Sequence, residues 1–66
     1  MLKIQQFSDL EINVHYYSFL GDFYGRIGQW EKGIKNYNIA IELCKEFSIR
    51  EYLKAQCKIF YLRFFN

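Results

Sequence analysis

The chain has 66 residues, of which 52% are hydrophobic and 21% aromatic, and its formal net charge is +2. This length admits one domain at most, the apolar fraction is too high for a disordered chain, and the small charge argues against a nucleic-acid partner. Residues 1–47 hold five Lys/Arg against six Asp/Glu, a net charge of −1, whereas residues 48–66 hold four against one, a net charge of +3. The basic character therefore lies at the C-terminal end.

The residue types that bind metals or form disulfides are few and scattered. Cys44 and Cys57 form no C-x-x-C pair, and His15 is the single histidine, so we expect no metal and no cofactor. Lys3 and Asp9 interrupt the start before an apolar core can form, so we predict no signal peptide. No apolar run approaches the ~20 residues of a transmembrane segment. Two isolated cysteines without an export signal indicate a cytoplasmic protein.

The first predicted helix begins near Ser8 and ends at Gly28. Ser8 and Glu11 form a capping box, in which side chains satisfy free backbone N–H groups, and Gly28 can take the left-handed conformation that closes a helix. One face carries Leu10, Val14, Tyr17, Leu20, Gly21 and Tyr24, and a second stripe carries Ile12, Tyr16, Phe19 and Phe23. A helix with two apolar stripes is expected to have neighbours on two sides. Residues 1–7 are either a short helix or a lead-in segment.

The second predicted helix follows directly, beginning near Gln29 and running to Phe47. Its main apolar stripe consists of Trp30, Gly33, Ile34, Tyr37, Ala40, Ile41, Cys44 and Phe47. Because the connection between the first two helices is so short, we predict that they form an antiparallel hairpin over residues 8–47.

The third predicted helix occupies residues 48–66. It opens at Ser48, with Glu51 three residues later, which makes a second capping box forty residues after the first. A start signal that repeats at a fixed period indicates an internal repeat. From Ile59 onward the helix is apolar nearly all round, which is typical of burial on more than one side. The predicted fold class is therefore all-α, an antiparallel helix hairpin plus a third helix.

Small and large residues alternate in a defined order along the predicted hairpin. The order is carried by Tyr17, Leu20, Gly21, Tyr24, Gly28, Trp30, Tyr37 and the run Ala40-Ile41-Glu42-Leu43. This order resembles the tetratricopeptide repeat over roughly residues 8–47. The resemblance implies an α-solenoid fragment of about one and a half repeats. It also implies that Gly21 lets the partner helix approach closely, that Tyr37 fills the gap beside it, and that Ala40 makes room for the following repeat.

Three departures from the family pattern bear on the fold. Gly33 replaces the usual first small alanine, at a cost of about 1 kcal/mol of helix propensity. Lys45 stands near the usual proline, so we expect the second helix to run longer, with a period nearer forty residues than the common ~34. Tyr61 stands where a small glycine should be. Residues 48–66 are therefore interpreted as a capping helix or as the opening of a degenerate repeat.

The resemblance also implies a concave groove, lined by the first helix of each repeat, that holds a peptide or another helix. Carried over by position, its lining is His15, Ser18, Asp22, Gly25, Arg26, Lys58 and Leu62. Ser18 and Asp22 do not match the lysine and asparagine with which some relatives clamp a terminal carboxylate, so we predict no carboxylate clamp. The alternative interpretation is that these polar residues are merely solvated, and the sequence leaves both open.

The aromatic side chains exceed what a domain of this size can bury on one core face. We predict a partner-binding aromatic face made of Tyr16, Phe19, Phe23, Phe60, Tyr61, Phe64 and Phe65. The four from the third helix have a second interpretation, in which they cover the open end of the hairpin as part of the core. We expect a mixture, with some of the rings contacting another polypeptide.

The third helix carries a basic strip, because Arg50, Lys54 and Lys58 lie four residues apart. Such a strip can attract an acidic protein, RNA or lipid head groups, or it is an ordinary solvated face. Catalysis has no support, since His15 has no orienting carboxylate at a convincing spacing and Ser48 is better explained as a cap. We therefore predict that the protein is not an enzyme.

The predicted function is that of a protein–protein interaction module, a scaffold or adaptor. Repeats of this type usually need about three copies to be stable, so one and a half copies imply self-association, a larger assembly or a longer chain. The expected partner is another protein, as a peptide or a helix, or a second copy. The alternative is a small helical nucleic-acid or membrane-surface binder that acts through the basic, aromatic third helix.

Overall fold

A computed structural model describes residues 9–65 as three α-helices without a strand, named α1 (Asp9–Arg26), α2 (Trp30–Leu43) and α3 (Phe47–Phe64). The helix α2 packs against both α1 and α3. This arrangement confirms the predicted all-α fold of a helix hairpin plus a third helix. The predicted lead-in over residues 1–7 and the predicted cap at Ser8 lie outside the described residues.

The turn between α1 and α2 is closed by the backbone of Gly28. Its φ of +80° lies in the left-handed region, which a residue without Cβ adopts at no steric cost. The Gly28 N–H donates to the carbonyl of Gly25 at 3.1 Å, and the Gln29 N–H donates to the carbonyl of Tyr24 at 2.9 Å. These two bonds are those of a Schellman motif, which satisfies the last carbonyls of a helix. The prediction that the first helix ends at Gly28 is confirmed.

The second helix is shorter than predicted. It ends at Leu43, and Cys44 has the extended φ and ψ of −80° and 124°. The guanidinium of Arg50 donates to the Cys44 carbonyl from Nε at 3.1 Å and from Nη2 at 2.6 Å. This contact provides a hydrogen-bond donor for a carbonyl at the end of α2 and links the end of α2 to the first turn of α3. The prediction that the second helix runs to Phe47 is therefore wrong, since Phe47 opens α3 and is 71% exposed.

The third helix begins earlier than predicted, because another residue caps it. The carboxylate of Glu46 accepts a hydrogen bond from the Ile49 N–H at 2.8 Å, which makes Glu46 the N-cap. An acceptor at this position satisfies one of the free N–H groups at the helix start. Ser48 consequently lies within the first turn, and the prediction that Ser48 caps this helix is wrong. The spacing of forty residues between Ser8 and Ser48 is not a spacing between two caps.

Aromatic rings pack against glycines of α1 and α2 in the core. Its buried side chains are Val14, Ile34, Tyr37, Ala40, Cys44, Leu53, Cys57 and Phe60. A Cβ on Gly21 would lie 2.6 Å from Cδ2 of Tyr37, and a Cβ on Gly33 would lie 3.0 Å from the carbonyl oxygen of Gly21. The first distance is too short for a real contact, so Gly21 must lack a side chain for the two helices to approach this closely.

The ring of Phe60 is part of this core. It is 7% exposed, and its centroid lies 5.1 Å from that of Tyr37 and 5.4 Å from that of Trp30. A Cβ on Gly25 would overlap the ring. The prediction that Phe60 belongs to the exposed aromatic face is wrong, because the hollow left by Gly25 and Gly33 accepts the ring.

Candidate functional site

A line of large apolar side chains runs along the outer face of α1, and we call it the outer strip. It consists of Ile12, Tyr16, Phe19, Phe23 and Ile27, whose exposed fractions lie between 47% and 66%. At about 1.5 Å per residue, the strip is roughly 22 Å long. The sequence predicted Tyr16, Phe19 and Phe23 as partner-binding residues, and the structure places all three in this line.

The outer strip lies on the side of α1 that faces away from α2. The opposite side of α1 holds the buried residues Val14, Gly21 and Gly25. Two rings of the strip pack against the ring of the next residue on the same helix. Tyr16 meets the ring of Tyr17 edge-on with centroids 5.2 Å apart. Phe23 meets that of Tyr24 at 5.6 Å. Such pairs restrict the rings, so a partner that docks here finds partly ordered side chains.

A second aromatic group, which we call the C-terminal cluster, consists of Tyr61, Phe64 and Phe65. Tyr61 stacks on Phe65 with centroids 5.9 Å apart, and Phe64 meets Phe65 edge-on at 4.9 Å. The three are exposed by 43%, 43% and 72%. The predicted exposure of these rings is therefore confirmed, although each also covers part of another. The cluster begins one residue after the buried Phe60 and lies on a different helix from the outer strip.

The predicted groove residues of α1 are mostly engaged with their own helix. The Ser18 hydroxyl donates to the carbonyl of His15 at 3.0 Å, and Asp22 forms an ion pair with Arg26 at 3.1 Å. His15 lines a cleft of about 430 Å³ between the N-terminal part of α1 and the region where α2 passes into α3, together with Val14 and Ile49.

The remaining groove residues lie elsewhere. Gly25 is covered by the ring of Phe60. Lys58 lines a separate depression with Ile41 and Tyr61, on the side where α2 meets α3. Leu62 is 57% exposed on α3. The structure therefore does not bring His15 and Lys58 to the same cavity.

The basic strip of α3 is partly neutralised within the molecule. Arg50 is half-buried and its guanidinium is bound to the Cys44 carbonyl. The ammonium of Lys54 lies 3.7 Å from the carboxylate of Glu51. Of the three predicted cations, Lys58 contributes to the depression beside Tyr61. With Arg50 and Lys54 paired in this way, the three cations attract phosphate groups less strongly than a row of unpaired cations would.

Buried titratable groups stabilise the core in their neutral forms. Burial, reinforced by the nearby charge of Asp22, raises the pKa of Tyr37 to about 12. Burial also raises the pKa of the Cys57 thiol, whose sulfur lies 3.7 Å from the side-chain oxygen of Asn38. Cys44 is 3% exposed and donates from its sulfur to the Glu46 carbonyl at 3.3 Å. Cys44, which lies on the apolar stripe of the predicted second helix, is thus a small core residue.

Comparison of the chain with protein-family models, with curated proteins and with solved structures gives no match. In the part of the chain that the structure describes, residues 9–65, no helix is both long enough and apolar enough to cross a membrane.

Sequence reasoning missed part of the exposed apolar surface. Ile27 continues the outer strip one step beyond the end of α1, and its position four residues after Phe23 is the signal that could have identified it. Tyr52 and Ile59 are exposed by 62% and 47% on α3. With Leu62 they form a shorter exposed line, which the same spacing could have revealed.

Proposed function

We propose that this protein is an interaction module that binds another polypeptide through the outer strip of α1, in the manner of a tetratricopeptide-like scaffold. The observation that carries the proposal is the line of five large apolar side chains, each about half exposed, on one face of one helix. Scattered exposed apolar residues are ordinary, but a contiguous patch of several hundred Å² often has a function.

The size of the patch supports a docking role. A large side chain that is half exposed presents on the order of 100 Å² to water, so the strip presents roughly 500 Å². At about 25 cal/mol per Å², its removal from water is a gross gain on the order of 10 kcal/mol, most of which is offset by the costs of association. A partner with a complementary apolar face would therefore bind measurably.

The position of α1 also supports the proposal. The helix α2 packs against both α1 and α3, and α3 reaches α1 on its inner face, through Phe60 and Gly25, so the outer face of α1 is where a further helix would stack. In stacked helical repeats each unit buries its apolar face against a neighbour. Two of the residues that carry the resemblance to these repeats lie in the core, where Gly21 approaches Tyr37 closely and Ala40 is 0% exposed.

The proposed setting is a reducing compartment, most simply the cytoplasm. Cys44 and Cys57 are free thiols, each packed in the core. Unpaired, buried cysteines fit a compartment in which thiols stay reduced. The proposed role is binding rather than catalysis, and we assign no residue a chemical step.

The test compares two variants that place the same charge at similar exposure. Phe19 is 66% exposed at the middle of the outer strip, and Phe47 is 71% exposed at the start of α3. Tagged wild type, Phe19→Glu and Phe47→Glu are used to capture proteins from cell extracts, and circular dichroism verifies that all three are folded. We expect partners that wild type and Phe47→Glu retain and Phe19→Glu loses. Equal capture by all three, together with a wild type that stays monomeric in sedimentation, would refute a docking role for the strip.

The rival function, a nucleic-acid or membrane-surface binder acting through α3, has weaker support because Arg50 is committed to Cys44 and Lys54 to Glu51. It predicts binding to generic RNA or anionic vesicles that weakens steeply with salt. Such binding, unaffected by Phe19→Glu, would favour the rival.

A further inference from the structure

We propose that the outer strip pairs with the same strip of a second copy of this chain, as an antiparallel contact of two α1 helices about a two-fold axis near Phe19. This inference names a partner for the surface described above and rests on the proposed function. It is carried by three properties of the strip: its spacing, the charges at its ends and its area.

The four outer members of the strip have the same spacing in both directions, and Phe19 lies within one residue of their midpoint. Ile12, Tyr16, Phe23 and Ile27 are separated by four, seven and four residues. When a second α1 is laid antiparallel, Ile12 therefore faces the partner's Ile27, and Tyr16 faces the partner's Phe23. The two copies of Phe19 lie side by side at the centre. A two-fold contact uses one patch twice, so a patch that matches its own reverse satisfies the requirement.

The charges at the two ends of α1 favour the antiparallel direction. The first turn carries Asp9 and Glu11, and the last turn carries Arg26, whose guanidinium also pairs with Asp22 of its own helix at 3.1 Å. Antiparallel pairing brings the acidic start of each helix to the basic end of the other, whereas parallel pairing would bring like charges together. The helix dipoles are also opposed in the antiparallel pair, which adds a small favourable contribution.

The area fits a weak dimer. The strip presents roughly 500 Å² of apolar surface, so two strips would bury about 1,000 Å² in total. This value lies below the ~1,200 to 2,000 Å² of stable protein–protein contacts and within the range of weak, transient ones. The dimer is therefore expected to be concentration-dependent, and a single charge at its centre should dissociate it.

A head-to-tail stack is the other way in which copies could associate. It would lay the outer strip on the exposed line Tyr52, Ile59 and Leu62 of α3. The net charges of the two helices are opposite and would attract, since α1 has three acidic residues against one arginine and α3 has four basic residues against one glutamate. Head-to-tail contacts do not close, so they give a ladder of sizes, whereas a two-fold contact stops at the dimer.

Disulfide trapping of the full chain distinguishes the two geometries. Helix axes about 10 Å apart, with Cα atoms about 2.3 Å from each axis, place facing Cα atoms roughly 5 to 6 Å apart, within reach of a disulfide. A Phe19→Cys variant is incubated with oxidised glutathione, and Lys35→Cys, at an exposed position of α2, is the matched control. The native Cys44 and Cys57 are only 3% and 4% exposed and should not react.

We expect Phe19→Cys to form a covalent, helical dimer in high yield and Lys35→Cys to form little. Sedimentation of the untagged wild-type chain should show a monomer–dimer equilibrium. Phe19→Glu should shift this equilibrium to the monomer, and Phe47→Glu should leave it unchanged. The two glutamate variants are compared by circular dichroism, so that a folding defect is not mistaken for dissociation.

Three outcomes would overturn the inference, and they differ in whether the proposed function is also refuted. A wild type that stays monomeric, with captured partners still lost in Phe19→Glu, refutes the dimer and keeps the proposed function. A ladder of oligomers that Tyr52→Glu abolishes, without trapping of Phe19→Cys, shows head-to-tail stacking. A monomeric wild type whose captured proteins do not depend on Phe19 refutes both the dimer and the proposed function.

Discussion

Aromatic rings are buried at the inner face of α1 and exposed at its outer face. On the inner face, Gly21 and Gly25 leave hollows that receive the rings of Tyr37 and Phe60, which are 4% and 7% exposed. On the outer face, α1 itself supplies the rings, and Phe19 remains 66% exposed. The number of aromatic residues thus does not decide which rings form the core. A ring is buried where the facing helix offers a small residue, because interiors pack without overlap or voids.

The largest expected effect is on the inner face. Phe60→Ala removes a ring that contacts Trp30, Tyr37 and the glycine hollow, so it should lower the free energy of unfolding by about 3 to 5 kcal/mol. A chain of this size has little stability to lose, so α3 should separate from the hairpin. Urea unfolding followed by circular dichroism measures the change. Phe64→Ala, one turn later and 43% exposed, is the control and should cost about 1 kcal/mol or less.

A double-mutant cycle with Gly25 sharpens this prediction. Gly25→Ala alone should destabilise the protein by about 1 to 3 kcal/mol, because the new methyl group would overlap the ring of Phe60. In the Phe60→Ala background the overlap is gone and alanine favours the helix, so the same change should be neutral or stabilising. Additive effects would show that Gly25 and Phe60 do not meet in solution.

The next effect concerns the neutral phenol of Tyr37, which packs against the inner face. Its pKa is raised from 10.0 to about 12, chiefly by burial. Because the pKa is raised in the folded state, the neutral phenol makes its full contribution to the free energy of unfolding below pH 10. This contribution is lost as the pH rises through about 12. The loss should be on the order of 2 kcal/mol.

Urea unfolding at a series of alkaline pH values measures this loss, and Tyr37→Phe should reduce its steepness. Tyr61→Phe removes an exposed phenol and is the matched control, which should keep the wild-type dependence. If Tyr37→Phe loses stability over this pH range as steeply as wild type does, Tyr37 is not the buried phenol that the structure shows.

Features marked by one strong local signal could be predicted from the sequence, and features decided by a particular side-chain contact could not. The end of α1 at Gly28 was predictable because its hydrogen bonds join residues at most five positions apart. The start of α3 was not, since Ser48 is the residue type that caps helices most often, whereas Glu46 caps this one and the contact of Arg50 with Cys44 favours the earlier start. Local preference alone ranks these two caps in the wrong order.

The same distinction applies to the candidate site. The outer strip follows from the helical spacing of Tyr16, Phe19 and Phe23, so three of its members were predictable. The burial of Phe60 was not, because it depends on Gly25, which is thirty-five residues away in the sequence. Apolar spacing shows that α3 has a buried side but does not show which ring of its last turns enters the core.

The smallest expected effect on folding is at the outer face, and it depends on concentration. Phe23 is 47% exposed and packs edge-on against Tyr24, so Phe23→Ala should cost about 1 kcal/mol or less when the chain is dilute. Because association stabilises only the folded state, the unfolding midpoint of wild type should rise with protein concentration, and that of Phe23→Ala should rise less. Thermal unfolding over a dilution series measures both quantities. A loss of several kcal/mol at the lowest concentration would mean that the ring is held by its own chain, and the outer face would then be core rather than a surface for a partner.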